Sequence, residues 1–310
     1  MKKHVLLLTS IAALISGCAT PVANFETLSQ TATRDAALAD DSALELLQRS
    51  EALAVDAKQK KLSYFAPAHA ETAQYWLDKS QALSAKGKPS GEVKSAAMTS
   101  IRTWEAGLQA RENALKTLKP AFDHQQVLRE IHANDYYPED NRQLNERLTQ
   151  LIRMLEADKQ QEANKEQRSL LADMHDLEVR VVEFVQLQAI KDDLAKLKTE
   201  NADELSPISW QTAQSALKQA QALIAKTPRA TGAIAKATEG AKRAAAHARV
   251  IADLTQVILA AKDADAEALA LRMERWLYQI SVALKHDDIR YLSMPEQAKR
   301  YAAAVEELQR

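Results

Sequence analysis

The chain has 310 residues, of which 41 are Lys or Arg, 42 are Asp or Glu, six are Gly, eight are Pro and one is Cys. The balanced charge argues against a nucleic-acid-binding protein, which concentrates basic residues on one face. A single cysteine excludes disulfide bonds within the chain and metal sites built from several thiolates. The scarcity of Gly and Pro and the abundance of Ala, Leu, Gln, Lys and Glu argue against a turn-rich sheet protein and predict an all-α fold.

The first 18 residues have the pattern of an export signal. Lys2 and Lys3 form a basic start, and the apolar run from Val5 to Ile15 is too short to span a bilayer. The sequence therefore predicts that residues 1–17 are a signal peptide. The segment closes with a tetrapeptide that resembles a bacterial lipobox, formed by Ile15, Ser16, Gly17 and Cys18.

The only cysteine of the chain is the last residue of this tetrapeptide. The lipobox resemblance implies cleavage after Gly17 and acylation of Cys18, and several acyl chains together hold a protein firmly in a membrane. Residue 19 is Ala19 rather than Asp, a pattern that resembles Gram-negative lipoproteins sent to the outer membrane. We therefore expect a protein anchored in the outer membrane through Cys18 and facing the periplasm.

Residues 18–41 lack sustained periodicity at first and are predicted to be a lipidated tether; the alternative is an ordered segment in which Phe25 and Leu28 pack on the folded body. Residues 42–138 are predicted to be a first helical module. Its expected helix starts are Asp41 or Ser42 as an N-cap, Pro67 in a first turn and Ser90 as an N-cap. Its expected stops are Tyr64, Gly87, Pro120 and the break at Asn134–Pro138.

Residues 139–200 contain neither glycine nor proline and are predicted to be a long connecting helix. The apolar seam from Leu144 to Leu155 fades through the polar stretch from Glu156 to Ser169 and resumes from Leu170 to Phe184. An interrupted stripe of this kind fits either one solvent-spanning helix or two helices with a hinge. We expect one continuous helix from Glu139 to Glu200, about 90 Å long.

Residues 201–310 are predicted to be a second helical module. Ser293 and Glu296 have the spacing of a capping box for its last helix, with Pro295 in the first turn. The other expected helix starts, bends and breaks are at Ser206-Pro207, Thr227-Pro228, Lys262–Asp265 and His286–Asp288.

Two stretches of the chain repeat each other at a spacing of 140 residues. Pro67 matches Pro207, and residues 72–83 match residues 212–223 with seven identities in twelve positions. Coincidence between Ala-, Gln- and Leu-rich helices is the alternative, but the shared proline and the shared Lys/Pro turn that follows favour a genuine duplication. The sequence therefore predicts an elongated protein of helical hairpins or a bundle, with two related modules and a long central helix.

The repeated unit resembles a known family. A helix ending in Leu, Tyr or Phe, then Ala-Pro or Ser-Pro, then an Ala-x-x-x-Leu helix and a further Ala-rich helix is similar to an uncharacterised helical-hairpin domain. That domain occurs in bacterial envelope lipoproteins and ahead of OmpA-like peptidoglycan-binding domains. Residues 43–118 match the pattern best, and residues 185–260 match it less completely. The resemblance implies a helical-hairpin fold and an envelope location. It implies no activity, because the family has none assigned.

No histidine pair has the spacing of a complete metal site. His124 and His132 lie eight residues apart, about 12 Å along a helix, which is too far for one ion. His175 and Glu178 are three residues apart, but one such pair is half a site, so a surface salt linkage is expected there. Neither a phosphate-binding glycine loop nor a hydrolase motif occurs. We expect no metal, no cofactor and no catalytic residue.

The four tryptophans and a pair of tyrosines are the remaining candidates for a binding role. Trp76 and Trp210 stand on Ala-rich helices, where a tryptophan either fills the local core or forms a platform for a sugar or a partner. Tyr136 and Tyr137 lie in the Asn134–Pro138 break, which is either an ordinary inter-helix turn or a recognition tip. We select these four residues as candidate partner-binding residues.

These patterns predict a membrane-anchored, non-catalytic periplasmic scaffold or spacer lipoprotein that binds envelope partner proteins through amphipathic helix faces. The alanine seams allow close helix approach and are compatible with self-association. The alternative is a periplasmic carrier or assembly chaperone for an apolar ligand or an unfolded envelope protein. A cell-wall hydrolase would need a polar cluster in a cleft, and no motif indicates one.

Overall fold

The computed structural model describes residues 24–262 and 265–309, which form fourteen α-helices and no β-strand. The predicted all-α fold is confirmed. The signal peptide, Cys18 and the first residues of the predicted tether lie outside the described residues. The helices are α1 (Phe25–Leu38), α2 (Ala43–Gln59), α3 (Leu62–Phe65), α4 (Pro67–Ala85), α5 (Ser90–Thr117), α6 (Lys119–Glu130), α7 (Ala133–Tyr136), α8 (Pro138–Glu156), α9 (Gln160–Thr199), α10 (Ala202–Leu205), α11 (Pro207–Lys226), α12 (Thr231–Ala260), α13 (Ala266–Ala283) and α14 (Met294–Leu308).

Two compact units divide the chain, residues 1–181 and residues 182–310. Unit 1 contains α1 to α8 and the first part of α9, and unit 2 contains the rest of α9 and α10 to α14. A core cluster of unit 1 is formed by apolar residues of α5, α6, α8 and α9, with Leu128, Leu148 and Met174 among its buried members.

The segment predicted to be a tether is helical from residue 25 onward. α1 packs against α5, and its Ala32 and Ala36 are buried in that contact. Arg102 Nη2 on α5 lies 2.6 Å from Asp35 Oδ2 and adds an ion pair between the two helices. The prediction of a tether over residues 18–41 is therefore wrong for residues 25–38, because alanines four residues apart give α1 a narrow apolar face that fits against α5.

Several predicted helix ends in unit 1 are confirmed. Ser42 caps α2 and forms a capping box with Glu45. Gly87 takes the left-handed conformation after α4, with φ 62°. Ser90 is not an N-cap, however, because α5 begins at Ser90 itself and Pro89 occupies the capping position.

The prediction of one continuous helix over residues 139–200 is wrong, because α8 and α9 are separated by a turn at Ala157–Lys159. Asp158 adopts a left-handed conformation with φ 60°. The Lys159 N–H donates to the Met154 carbonyl oxygen at 2.8 Å, the bond that closes a helix end of the Schellman type. Aspartate tolerates the left-handed region better than most residues, so the turn forms without glycine or proline. The second of the two helices, α9, is still 40 residues long.

Three helices, α4, α8 and α11, begin with proline and are reached through the same backbone turn. In each case a left-handed residue precedes a four-residue helix, and the residue before the proline has φ between −137° and −149°. Proline disfavours the helical conformation in the residue before it, so each helix is interrupted at that point. The left-handed residues are Lys61, His132 and Asn201, and the prolines are Pro67, Pro138 and Pro207.

The same positions relative to each proline are buried in all three copies of the turn. The three prolines are 71 and 69 residues apart. The residues five positions before each proline and six and thirteen positions after it are at most 6% exposed in all three copies. These buried residues are Leu62, Ala73 and Ser80 in the first copy, Ala133, Leu144 and Leu151 in the second, and Ala202, Ala213 and Ala220 in the third.

The match at a spacing of 140 residues therefore spans two periods of a shorter repeat. We define repeat 1 as α2 to α5, repeat 2 as α6 to α9 and repeat 3 as α9 to α12, with α9 shared between repeats 2 and 3. The helix α8 of repeat 2 is rich in Leu, Arg and Asn where α4 and α11 are rich in Ala and Gln. Repeat 2 thus keeps the backbone turn and the burial pattern without the sequence identity that relates the other two.

The last helices of unit 2 bury little apolar surface of their own. On α13, Ser281 is buried while Trp276 is 50% exposed. The predicted bend at Lys262–Asp265 includes residues 263 and 264, which lie outside the described residues. α14 begins after Ser293 with Pro295 in its first turn, as predicted, but the Ser293 side chain makes no capping bond, so the predicted capping box is wrong.

A glycine allows α5 to pack directly against α4 in unit 1. Gly107 is buried on α5, and a Cβ atom at this position would lie 2.8 Å from the Cβ atom of His69 and 3.1 Å from Leu62 Cδ2. The first of these distances is shorter than carbon atoms tolerate, so position 107 has room for a hydrogen atom and not for a methyl group.

We expect Gly107→Ala to destabilise unit 1 by about 1–3 kcal/mol, because the added methyl group overpacks the contact between α4 and α5. Denaturant unfolding followed by circular dichroism measures the change. Gly240→Ala on α12 is the control, since nothing lies within 4 Å of its added Cβ atom. The higher helix propensity of alanine should stabilise that variant by up to about 1 kcal/mol. A Gly107→Ala protein as stable as the wild type would contradict the close contact.

Candidate functional site

A buried histidine–glutamate pair joins α4 to α8 in unit 1. Glu156 Oε1, at the end of α8, accepts a hydrogen bond from the backbone N–H of His69 at 3.0 Å, and His69 Nδ1 lies 3.1 Å from the same oxygen. His69 is in the first turn of α4, whose own N-cap residue provides no side-chain bond. Glu156 therefore caps α4 from a neighbouring helix, where a carboxylate is favoured by the helix dipole.

A second buried pair joins α6 to α9. Glu178 is 1% exposed at its side chain, and its Oε2 lies 2.9 Å from His124 Nε2. The predicted surface linkage between His175 and Glu178 is therefore wrong, because Glu178 is buried and faces α6. The His175 ring lies edge-on to the His124 ring, with 6.5 Å between centroids. His132 is exposed beside α7, with its Nδ1 3.6 Å from Asp135.

Within residues 24–262 and 265–309, no three His, Cys, Asp or Glu side chains converge in a geometry that could hold a metal ion. Each His–Glu pair is buried and joins two helices of unit 1, and neither contributes to the grooves described next. Their geometry therefore points to a role in positioning helices.

An open groove lies between α2 and α4, with α5 beneath it. This groove 1 has a volume of about 580 Å³. Trp104 of α5 lines it and is 4% exposed, and the indole Nε1 has no hydrogen-bond partner. The other lining residues are small or apolar ones and a polar set: Ala54, Ala57, Leu62, Ala70, Tyr75, Lys58, Ser63, Glu71, Gln74 and Asp78.

Repeat 2 forms a groove from the same positions. Each residue that lines this groove 2 follows a residue of groove 1 by 71 positions, which is also the spacing of Pro67 and Pro138. Because the backbone turn recurs, the same positions form a groove in both repeats. The lining residues Asn134, Asn141, Arg142, Asn145, Glu146 and Thr149 correspond to Ser63, Ala70, Glu71, Gln74, Tyr75 and Asp78.

Repeat 3 forms the equivalent groove in unit 2, between α9 and α11. This groove 3 has a volume of about 470 Å³. Five of its lining residues follow residues of groove 1 by 140 positions. These are Leu194, Lys198, Trp210, Gln214 and Lys218, which correspond to Ala54, Lys58, Ala70, Gln74 and Asp78.

The three grooves share positions but differ in charge. Groove 1 carries Glu71 and Asp78, with Lys58 as the basic residue among its described lining residues. In groove 2, Arg142 forms an ion pair with Glu146, so the charges are balanced within the groove. The described lining of groove 3 contains three lysines and no carboxylate: Lys191, Lys198 and Lys218.

A carboxylate at one end of groove 3 organises two of its residues. Glu183 Oε1 lies 2.6 Å from Lys191 Nζ and accepts a hydrogen bond from Gln221 Nε2, also at 2.6 Å. The bond from Lys191 and then the bond from Gln221 lower the pKa of the Glu183 carboxyl below its usual range. In repeat 1 the equivalent Gln81 of α4 likewise donates to a glutamate of another helix, Glu51 of α2, at 2.8 Å.

Of the two tryptophans predicted to bind a partner, Trp210 lines groove 3. Trp76 lies on α4 next to Tyr75 of groove 1, with 5.6 Å between the ring centroids, but does not line the groove. Lys79 Nζ lies 4.1 Å from the Trp76 ring centroid, so a cation–π contact occupies one face of the indole.

The two tyrosines of the Asn134–Pro138 break differ in their surroundings. Tyr137 packs against the unit 1 core, with the Arg180 guanidinium 4.3 Å from its ring centroid. Tyr136 is exposed. The break is one of the three repeated turns, so its shape is explained by the fold, and the nearest groove residue in it is Asn134 of groove 2.

The sequence analysis missed most of the groove residues, including Tyr75, Asp78 and Lys218. Each is a common helix-surface residue with no motif around it. A signal was available, however: aligning the three copies on Pro67, Pro138 and Pro207 brings the groove positions into register. The first and third copies share enough identities for their match to be visible in the sequence, whereas the middle copy shares few.

We expect Glu156→Ala to destabilise unit 1 by about 3–5 kcal/mol, because it removes one partner of a buried pair and the cap of α4. Glu156→Gln should cost less, about 1–3 kcal/mol, since an amide oxygen can still accept the His69 N–H. Glu166→Ala, at an exposed position of α9, should change stability by less than about 0.5 kcal/mol. Urea unfolding compares the three, and equal stability of Glu156→Ala and Glu166→Ala would contradict the capping role.

Within the part of the chain that the structure describes, no helix combines the length and the apolar character needed to cross a membrane. Comparison of the chain with protein-family models, with curated proteins and with solved structures finds no match.

Proposed function

We propose that the chain is a lipid-anchored, non-catalytic scaffold of the bacterial envelope that binds partner proteins through the grooves of its repeats. The observation that carries the proposal is that grooves 1, 2 and 3 are formed by the same repeat positions while the side chains at those positions differ in charge. Helical repeats commonly present one face several times and vary its chemistry to hold segments of other proteins.

The buried polar groups of unit 1 support a scaffold. His69 with Glu156 and His124 with Glu178 each connect two helices inside the core. The first pair holds α4 and α8, which line grooves 1 and 2, at fixed positions. A rigid surface loses less conformational entropy when it binds a partner.

The membrane attachment in the proposal depends on residues 1–18 and on the resemblance to envelope lipoproteins. Six residues, 19–24, separate Cys18 from the start of α1. Even a fully extended chain of that length spans about 20 Å. A scaffold anchored through Cys18 therefore works close to the membrane surface.

We expect Cys18→Ser to abolish acylation, because the serine hydroxyl does not replace the thiol in thioether formation. Metabolic labelling with a clickable fatty acid and membrane fractionation measure the effect. Ala19→Asp is the control: it should keep the label and move the protein from the outer to the inner membrane fraction. A Cys18→Ser protein that is still labelled would contradict the proposed anchor.

We expect a photoreactive phenylalanine analogue at Tyr75 of groove 1 or at Lys218 of groove 3 to crosslink one recurrent envelope protein in intact cells. Both positions are exposed and line grooves, so a bound partner lies within reach of the reactive group. Mass spectrometry of the purified crosslinked products identifies the partner.

Lys79 on α4 and Gln219 on α11 are matched controls, since they are exposed, 140 positions apart and outside the grooves. The analogue at these positions should give little or none of the same product. Equal yields from all four positions would contradict groove-specific binding. A changing set of unfolded envelope proteins would instead favour the carrier or chaperone.

A further inference from the structure

The floor of groove 1 is formed in part by a buried tryptophan. The Trp104 side chain lines the groove from α5 and is 4% exposed. Its Nε1 atom is itself buried, so Trp104 offers the groove an apolar surface rather than a hydrogen-bond donor.

Small side chains on both sides of groove 1 leave room for another helix to approach it. Ala54 and Ala57 from α2 and Ala70 from α4 line it, and small side chains allow helix axes to approach closely. The lining residues of α4 extend from Ala70 to Asp78, a length of about 13 Å at the rise of an α-helix. That length matches between two and three turns of a helix lying along the groove.

Groove 1 has an acidic residue at one position where groove 3 has a basic one, although Lys58 and Lys198 are basic in both. Asp78 of groove 1 corresponds to Lys218 of groove 3. Glu51, which receives the Gln81 bond between α2 and α4, corresponds to Lys191. Because Glu71 and Asp78 line the α4 side of groove 1, that side is complementary to a basic ligand.

We propose that groove 1 binds an amphipathic α-helix of a partner protein that carries Lys or Arg along its flank. Its apolar side lies over the alanines and Trp104 of the groove, and its basic side chains face Glu71 and Asp78. This inference rests on the proposed scaffold function and specifies the partner of one groove.

The test uses the full mature chain with Cys18→Ser, so that no lipid or detergent competes for the probe. The probes are two stapled amphipathic peptides of about 15 residues, with the same Leu/Ala face and with either Lys or Glu on the flank. Calorimetry measures their affinities, and a photoreactive group in each peptide maps its position. We expect the Lys peptide to crosslink at groove 1 and to bind at least about tenfold more tightly than the Glu peptide.

A double variant connects binding to the acidic residues of the groove. Asp78→Lys with Glu71→Gln introduces the residues that repeat 3 has at these positions, Lys218 and Gln211, and should reverse the preference between the peptides.

Glu92→Lys with Glu26→Gln changes the net charge of the chain equally at exposed positions outside the groove and should leave the preference unchanged. Failure of the Lys peptide to bind, equal affinity for both peptides, or a preference that Asp78→Lys with Glu71→Gln leaves intact would overturn the inference. Self-association that fills groove 1 and blocks the peptide would also overturn it, because the occupant would be a second copy of the chain. In each of these cases, groove-specific crosslinks in cells would still support the scaffold.

Discussion

The proline at the start of α4, α8 and α11 is the constraint on which the rest of the structure depends. The proline disfavours the helical conformation in the residue before it. The left-handed residue that lies six positions before the proline follows the end of the previous helix. Between these two points the chain has a single four-residue helix. The turn therefore sets the rotation of the helix that follows, and with it which positions are buried and which line a groove. Similar grooves form from dissimilar side chains because the backbone determines the positions.

Side-chain contacts between helices then fix the helix positions that the turns allow. Glu156 caps α4 from the end of α8, and Glu178 meets His124 of α6 from α9. Polar pairs inside a core have fewer acceptable geometries than apolar contacts, since each atom needs a partner at hydrogen-bond distance. Gly107 adds a steric requirement where α5 meets α4. The positions of α4 and α5 at groove 1 are thus held by contacts that mostly involve residues outside the groove.

Local signals in the sequence were sufficient for the fold class and for many helix ends. The cap at Ser42, the start at Pro67 and the stop at Gly87 each depend on one residue and its neighbours in the chain. The turn at Asp158 was missed because only the structure shows that an aspartate takes the left-handed conformation there. The burial of Glu178 was missed because it depends on His124, 54 positions away in the chain. Of the candidate binding residues, Trp210 lines a groove, while the others were chosen for residue type, which says little about position in a tertiary surface.

The recurrence of one backbone turn also bears on how such a chain changes over generations. A gene segment of one period begins and ends at the same backbone conformation, so duplication or loss of that segment joins compatible ends. After a duplication, the buried positions of each copy must still be filled by side chains that pack, although not by the same ones, whereas the groove positions are free to diverge. Repeat 2 has exchanged alanine and serine for leucine at buried sites and still keeps the turn. A lineage with this architecture can therefore change the charge of one groove by altering one copy while the other copies keep theirs.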